Sequence, residues 1–272
     1  MHDLALRALC LCDGYGGFEL GFRLAGLRVR TVARCERDSF AASVLVARME
    51  EQRLDQAPLW DDLVTFDGPA WRGRVDIITA GFPCQPFSVT GEQLGIDDER
   101  WIWPDIARII ADVGPRYVFL ENVPGLVRLG LPHVLSDLAE LGFDADWGSL
   151  AASGVGAPHE RDRIWILAHT EGARQQEPSG RRQRSPRIAR PAGCGSTYPP
   201  RPGDACGWDI YDGPQPSVRR CADGRPAWLA PSLHLGGNGL VPLAAAHAFN
   251  QLTERAGIDM SGYHVGTDRS ST

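Results

Sequence analysis

Short apolar runs alternate with amphipathic stretches through the first 170 residues. Leu6–Cys12, Val75–Ala80, Tyr117–Leu120 and Ile164–Ala168 are nearly continuous apolar runs bounded by turn residues, the pattern of strands buried on both faces, and Val29–Cys35 reads as another strand. Leu59–Leu63 reads as a further short strand. Between the runs the period becomes helical. Phe18, Leu20, Phe22 and Leu24 follow a glycine turn, and Asp38 suits the cap of a helix over Ser39–Glu51. A third helix begins at Trp103 with Pro104 in its first turn, where a missing N–H costs least, and Leu131–Leu141 repeats apolar positions at helical spacing. Strands alternating with helices predict an open α/β sheet. Much later, Val241–Arg255 puts Val241, Ala244, Ala245, Ala248, Phe249 and Leu252 on one helical face, which should pack back on that sheet. Ser261–Thr272 reads as a frayed tail.

Composition changes this picture in one place. From Glu171 to Pro226 the chain turns rich in Arg, Pro, Gly and Ser, with Arg181, Arg182, Arg184, Arg187, Arg190, Arg219 and Arg220 in clusters and few apolar residues to build a core. The bland alternative is a loosely ordered insertion; the functional one is an arginine-rich recognition segment for phosphate and base edges. Both apply: the part up to about Pro202 suits mobility, and Trp208, Ile210, Tyr211 and Val218 suit a small ordered patch.

With 272 residues the chain can bury a sizeable core, as one large domain or one domain plus a small one. Its net charge of −6 carries no global basic signature, so any contact with nucleic acid must be local. All 28 basic residues are arginine, for which codon bias is the simplest cause and a bidentate fit to phosphate and guanine a possible bonus. The seven cysteines are odd in number and form no Cys-x-x-Cys pair, against a disulfide framework or a standard zinc site, so reduced thiols and no metal are expected. No stretch reads as a secretory leader or approaches the ~20 apolar residues of a membrane span, and a cytoplasmic protein is the simplest expectation.

Candidate chemistry gathers at the strand ends, where open α/β sheets bind their ligands. After Val75–Ala80 comes Gly81-Phe82-Pro83-Cys84-Gln85-Pro86-Phe87-Ser88, a loop stiffened by Pro83 and Pro86 that carries one thiol. An isolated cysteine is more often a small buried residue than a nucleophile; a thiol on a stiff loop past a strand end is a better candidate. After Leu6–Cys12 comes Asp13-Gly14-Tyr15-Gly16-Gly17, whose glycines permit a tight turn and close approach to a ligand. Glu36, about 20 positions on and just past the next strand, suits ribose hydroxyls. Glu121 follows Tyr117–Leu120 at the same sheet edge as Cys84. Arg161 and Arg163 are two apart, so an extended segment would point both to one face; a pair of solvated charges is the ordinary alternative.

The octapeptide Gly81–Ser88 resembles the Pro-Cys motif of the cytosine-C5 methyltransferases. The resemblance continues in the family's order through Asp13–Gly17, Glu121-Asn122-Val123, Arg161-Asp162-Arg163 and Gly237-Asn238-Gly239, so it covers most of the chain apart from about 171 to 226. It implies a Rossmann-like S-adenosylmethionine-dependent methyltransferase sheet with a small irregular target-recognition region. It divides the chain into a catalytic and cofactor-binding domain over 1–170, a recognition region over 171–226, a segment over 227–260 that packs back, and a flexible tail over 261–272. S-adenosyl-L-methionine would be held by Asp13, Gly14, Tyr15, Gly16, Gly17, Glu36, Asp62, Leu63, Pro83, Ile102 and Asn238; Asp61 competes with Asp62 for the adenine. The family often has phenylalanine at Cys12 and a large apolar or aromatic residue at Arg37, so both faces of the adenine pocket depart from its pattern, and glutamine is usual at His159. Val89–Arg100 corresponds to a moving loop, here acidic apart from Arg100.

The resemblance implies covalent catalysis on flipped-out cytosine. Cys84 would add to C6, Glu121 would contact N3 and the exocyclic amine, and Arg163 with Arg161 would hold the base carbonyl. The implied substrate is double-stranded DNA, with a tRNA enzyme of the same family and a non-catalytic nucleic-acid-binding relative as alternatives. No Asp/Asn-Pro-Pro-Tyr/Phe/Trp motif of an N6-adenine enzyme occurs. A monomer is expected, and a cognate restriction endonuclease is a compatible partner.

Overall fold

The computed structural model of the chain describes residues 5–83, 101–157, 160–170 and 239–265. Among these residues the strands are β1 (Leu6–Leu11), β2 (Val29–Cys35), β3 (Leu59–Trp60), β4 (Ile77–Gly81), β5 (Tyr117–Asn122), β6 (Asp144–Ala151) and β7 (Asp162–His169). The α-helices are α1 (Gly17–Leu24), α2 (Ser39–Glu50), α3 (Trp103–Val113), α4 (Leu126–Leu129), α5 (Leu131–Glu140) and α6 (Pro242–Ala256).

The strands form one sheet in the order β3-β2-β1-β4-β5-β7-β6. The first five run parallel, and β7 runs antiparallel to both β5 and β6. The chain works outward from β1 to one edge, then returns to the centre at β4. That reversal opens a crevice at the carboxyl ends of β1 and β4, where ligands bind in doubly wound sheets.

Alternation within β1 shows how the core divides. Leu6, Ala8 and Cys10 face a layer built from Phe18 and Phe22 of α1 and from Ala245, Phe249 and Leu252 of α6. Leu9 and Leu11 face the opposite layer, with Ile106, Ile109 and Ile110 of α3 and Val134 and Leu138 of α5. Every residue of β1 is therefore apolar on both faces except Arg7, at the strand's entry, which pairs with Asp76. Phe119 of β5 centres the first layer, edge-on to Phe18 and Phe249 and stacked on Trp165 with centroids 5.5 Å apart. α1 and α6 meet closely enough that a Cβ on Gly21 would lie 2.9 Å from that of Ala245.

Three expectations change. The strand expected over Leu59–Leu63 stops at Trp60, because Asp62 accepts the Val64 amide and starts a tight 3₁₀ turn over Leu63–Thr65. β6 was missed: Asp-Ala-Asp-Trp-Gly-Ser-Leu-Ala carries small and acidic residues on the sheet's edge, so its alternation is weak in sequence though clear in burial. The tail expected to fray from Ser261 is held as far as Val265. Ser261–Tyr263 form a turn, the Arg28 amide donates to Tyr263 O at 2.6 Å, and Val265 N donates to Gly26 O at 2.9 Å. The segments expected to form a moving loop (Val89–Arg100) and a recognition region (171–226), and the end of the tail, lie outside the described residues. Among the described residues no helix is long and apolar enough to cross a membrane, and no cluster of His, Cys, Asp and Glu is arranged to hold a metal ion.

Candidate active site

A cavity of about 310 Å3 opens along the carboxyl edge of the sheet, within the range of small-molecule sites. Strand order sets the order of groups along it. Asp62 and Leu63, past β3, stand at one end, Glu36 follows β2, and Asp13, Gly14 and Tyr15 follow β1. Gly81, Phe82 and Pro83 follow at β4, then Glu121 and Asn122 at β5, with Arg163 of β7 beyond. Ile102 and Asp105, at the start of α3, form the opposite wall beside Leu63, and Gly239 and Leu240 close the wall beside the glycine turn.

The β1 turn is built for close approach. Gly14 (φ 59°) and Gly16 (φ 87°) lie in the left-handed region that glycine enters without penalty. Cys12 enters it too, at φ 50°, and aims its thiol into the cavity's lining, where burial holds that thiol well above the usual range. Glu36 accepts the Gly14 amide on Oε2 and the Asp38 amide on Oε1, both at 2.8 Å, so its carboxylate is fixed before any ligand arrives. Burial nevertheless raises its pKa. Tyr15 donates its hydroxyl to Leu240 O, which joins the turn to the approach of α6. Gly16 and Gly17, expected to contact a cofactor, are absent from the cavity lining. A Cβ on Gly16 would lie 2.5 Å from Leu54, and one on Gly17 would lie 3.1 Å from Leu240, so their smallness serves packing.

Beneath the turn lies a charge cluster that sequence reading missed. Arg34, fully buried on β2, donates to Asp13 and Glu19, which are fully buried as well. Burial opposes the guanidinium's charge, but Asp13 and Glu19 outweigh it and hold Arg34 protonated. Asp13 itself is raised by burial and drawn back by Arg34. Asp13 thus both lines the cavity and anchors the turn to β2. The only cue was an arginine inside an apolar run, which reads equally well as an edge position.

At the other end, Glu121 is the last but one residue of β5, in register with Gly81 of β4. A Cβ on Gly81 would lie 3.5 Å from Glu121 Oε2, so the glycine leaves the carboxylate open beside the strand that leads into Cys84. Glu121 is 7% exposed and accepts from Arg163 Nε at 2.7 Å. Burial pushes its pKa up; Arg163 and, more weakly, Arg161 pull it down, and burial prevails. Asn122 Nδ2 donates to Phe82 O at 3.3 Å and its Oδ1 accepts the Val123 amide, which couples the ends of β4 and β5.

The two arginines are held differently. Arg161 stands before β7 at φ 33°, so the strand's alternation does not reach it, and its Nη2 donates to Gly239 O at 2.5 Å. Arg163 alone of the pair lines the cavity. Cys84 and Asn238 lie outside the described residues, although the chain on the Cys84 side ends at Pro83 in the cavity wall and on the Asn238 side at Gly239. Asp61 does not line the cavity, whereas Arg37 does, beside Cys12.

Sheet order, the reversal at β1 and β4, and a nucleotide-sized cleft ending in a buried carboxylate define a Rossmann-like α/β protein of the methyltransferase type. The chain belongs to the C-5 cytosine-specific DNA methylase family, whose profile matches residues 6–192. It is 32% identical over 169 residues to the Type II methyltransferase M.NgoMIV of Neisseria gonorrhoeae, covering 61% of this chain and 52% of that protein. To M.NaeI of Lentzea aerocolonigenes it is 33% identical over 168 residues, covering 60% of this chain and 40% of that one. The chain thus spans about half or less of the length of these curated relatives. Among solved structures, a Spodoptera frugiperda DNMT2 mutant superposes with a TM-score of 0.52 at 24% identity, over 66% of this chain and 54% of that one. The Entamoeba histolytica methyltransferase EhMeth gives 0.53 at 14% identity, over 67% and 58%. At these identities the likeness concerns the fold.

Proposed function

We propose that the protein transfers a methyl group from S-adenosylmethionine to C5 of cytosine in duplex DNA. The observation that carries this reading is Glu121. It is a buried carboxyl with a raised pKa, ion-paired to Arg163, at the end of a cofactor-sized cleft and beside the strand that runs into Gly81-Phe82-Pro83-Cys84.

The cleft suits the cofactor chemically. Glu36 presents a pre-oriented acceptor for ribose hydroxyls, Asp62 and the Leu63 turn offer polar groups to an adenine edge, and the glycine turn admits the amino-acid portion closely. Bound there, the cofactor supplies an electrophilic methyl group. The strand order directs the remaining chemistry, since the far end of the cleft holds Glu121 and Arg163.

The C5 carbon of cytosine is a poor nucleophile, and a base inside a duplex is out of reach, so the base must be flipped into the site. The Cys84 thiolate adds to C6, which moves electron density towards C5 and N3. Glu121, protonated at higher pH than an ordinary carboxyl, donates a proton to N3 and limits that charge. Arg163 holds the carboxyl in place and presents positive charge to the base carbonyl. After methylation, loss of the C5 proton and elimination of Cys84 restore the ring and the thiol.

Incubation with radiolabelled S-adenosylmethionine, duplex DNA or tRNA, and either wild type or Cys84→Ser tests the reading. Label in DNA as 5-methylcytosine, lost by at least about a thousandfold in the variant, is expected, because removing an attacking nucleophile typically costs that much. Label confined to tRNA, or undiminished in Cys84→Ser, refutes it.

A further inference from the structure

Arg108 lies on the outer side of α3 and makes no contact with the proposed substrate groups, yet it reaches both walls of the cleft at the adenine end. Its Nη2 donates to Leu63 O at 2.6 Å and Val64 O at 3.3 Å, and its Nη1 donates to Phe66 O at 3.3 Å. Two carboxylates of its own helix hold the guanidinium from behind, Asp105 at 3.7 Å and Asp112 at 3.5 Å. Of these partners, Leu63, Val64 and Asp105 line the cleft themselves. A guanidinium suits this task because its rigid planar fork can serve several carbonyls at once, which a lysine's point charge cannot.

Leu63–Thr65 is a single 3₁₀ turn in which Leu63 O accepts the Phe66 amide at 3.2 Å and Phe66 O accepts the Gly68 amide at 3.1 Å. Those bonds close the turn on itself, whereas the Arg108 donors tie Leu63, Val64 and Phe66 to another element, α3. Asp62 secures its start through the Val64 amide, and Phe66 anchors its end in the core between Trp60 and Trp71. Between those two points the Thr65 hydroxyl accepts from Trp60 Nε1 at 3.1 Å and donates to Asp62 O at 3.3 Å, and Arg108 sets the backbone path relative to α3. That path decides where the Leu63 amide and the Asp62 carboxylate meet a ligand, and α3 supplies Ile102 opposite them.

Resting on the cofactor site proposed above, we propose that Arg108 is a positioning residue for adenine recognition. It fixes the 62–66 turn against α3, so that the edge of the base is read by hydrogen-bonding groups held at a set distance. Losing Arg108 leaves the cap, the Phe66 anchor and the apolar face of α3 intact, so the fold survives and discrimination is what suffers.

Hypoxanthine exposes this role, because it replaces the N6 amine and the N1 acceptor of adenine with a carbonyl and an N–H. Calorimetric titration of wild type, Arg108→Met and Arg108→Lys with S-adenosylhomocysteine and S-inosylhomocysteine reads the ratio of the two Kd values. Wild type should favour the adenosyl ligand by on the order of tenfold or more, the effect of mispairing a buried polar edge. In Arg108→Met the ratio should fall to within about threefold of unity, with Arg108→Lys between, since lysine keeps a charged donor group but not the rigid planar fork. A uniform loss of affinity for both ligands, with the wild-type ratio kept, is what a merely structural role would produce and overturns the proposal. If Arg108→Met fails to fold, the ratio in Arg108→Lys decides: wild-type discrimination there overturns the proposal. Failure of the wild type to bind the adenosyl ligand is a separate outcome, which overturns the cofactor site and this role with it.

Discussion

Replacing Arg34 with leucine removes the fully buried cation under the glycine turn, and the consequences for its two partners differ. Glu19 keeps Arg23, the Thr31 hydroxyl at 2.7 Å and the Asp55 amide at 2.8 Å. Asp13 loses its ion pair, and its Oδ1 has no hydrogen-bond partner among the described residues even with Arg34 present. Breaking a buried pair by removing one partner costs about 3–5 kcal/mol at neutral pH. The variant escapes part of that cost by protonating Asp13. Burial already raises this carboxyl in the wild type, and without Arg34 only opposing terms remain, burial and the Glu19 charge. A carboxyl whose pKa is raised by folding contributes stability that is present below its unfolded value, near 4, and is lost as pH rises through the folded value. The deficit of Arg34→Leu should therefore grow, by at most about 1.4 kcal/mol per pH unit, over the interval between the folded pKa of Asp13 in the wild type and its higher folded value in the variant. Urea denaturation of both proteins at pH 5.5 and pH 7.5 measures this. A larger deficit at pH 7.5 than at pH 5.5 is expected, and Asp13→Asn added to Arg34→Leu should flatten the slope. A deficit below about 1 kcal/mol, or one equal at both pH values, would show that Asp13 is not the stranded charge.

Two further outcomes follow from the packing and from the catalytic end. Phe249→Ala empties the centre of the layer between Phe22 and Phe119, where Phe249 is fully buried, and should cost about 3–5 kcal/mol in chemical denaturation. Arg163→Met removes the group that most strongly draws Glu121 down against burial, so the carboxyl should hold its proton to higher pH. The alkaline limb of the kcat–pH profile should then move upward while kcat itself falls; a limb that stays in place would detach that ionisation from Glu121.

Much of the sheet was legible because its signal is local. Tyr117–Asn122 is buried on both sides, so its first four residues are all apolar and the run stands out from the chain. Asp38 was readable as a cap because a carboxylate before an apolar-periodic stretch has one common use, and its side chain does accept the Ala41 amide. β6 stayed hidden because an edge strand tolerates Asp144, Asp146 and Gly148, whose company looks like a loop until β7 pairs with it. For Arg161 and Arg163, spacing of two implies one face only where both residues are extended, and the backbone at Arg161, at φ 33°, is not.

The sequence by itself determined the class of chemistry. Residue types in order, a thiol between two prolines, a glycine turn followed by Glu36, and a carboxylate ending an apolar run, specify which groups are available, and strand periodicity alone sends them to loop ends. Only the tertiary structure decided how these groups divide the work. The β1–β4 reversal placed them in spatial order along one edge, burial raised Glu121, Asp13 was pulled into partnership with Arg34, and Arg108 was brought from one helix to three carbonyls of a distant turn. Those outcomes depend on desolvation and on distances between residues far apart in the chain, and neither quantity exists until the sheet has closed its layers.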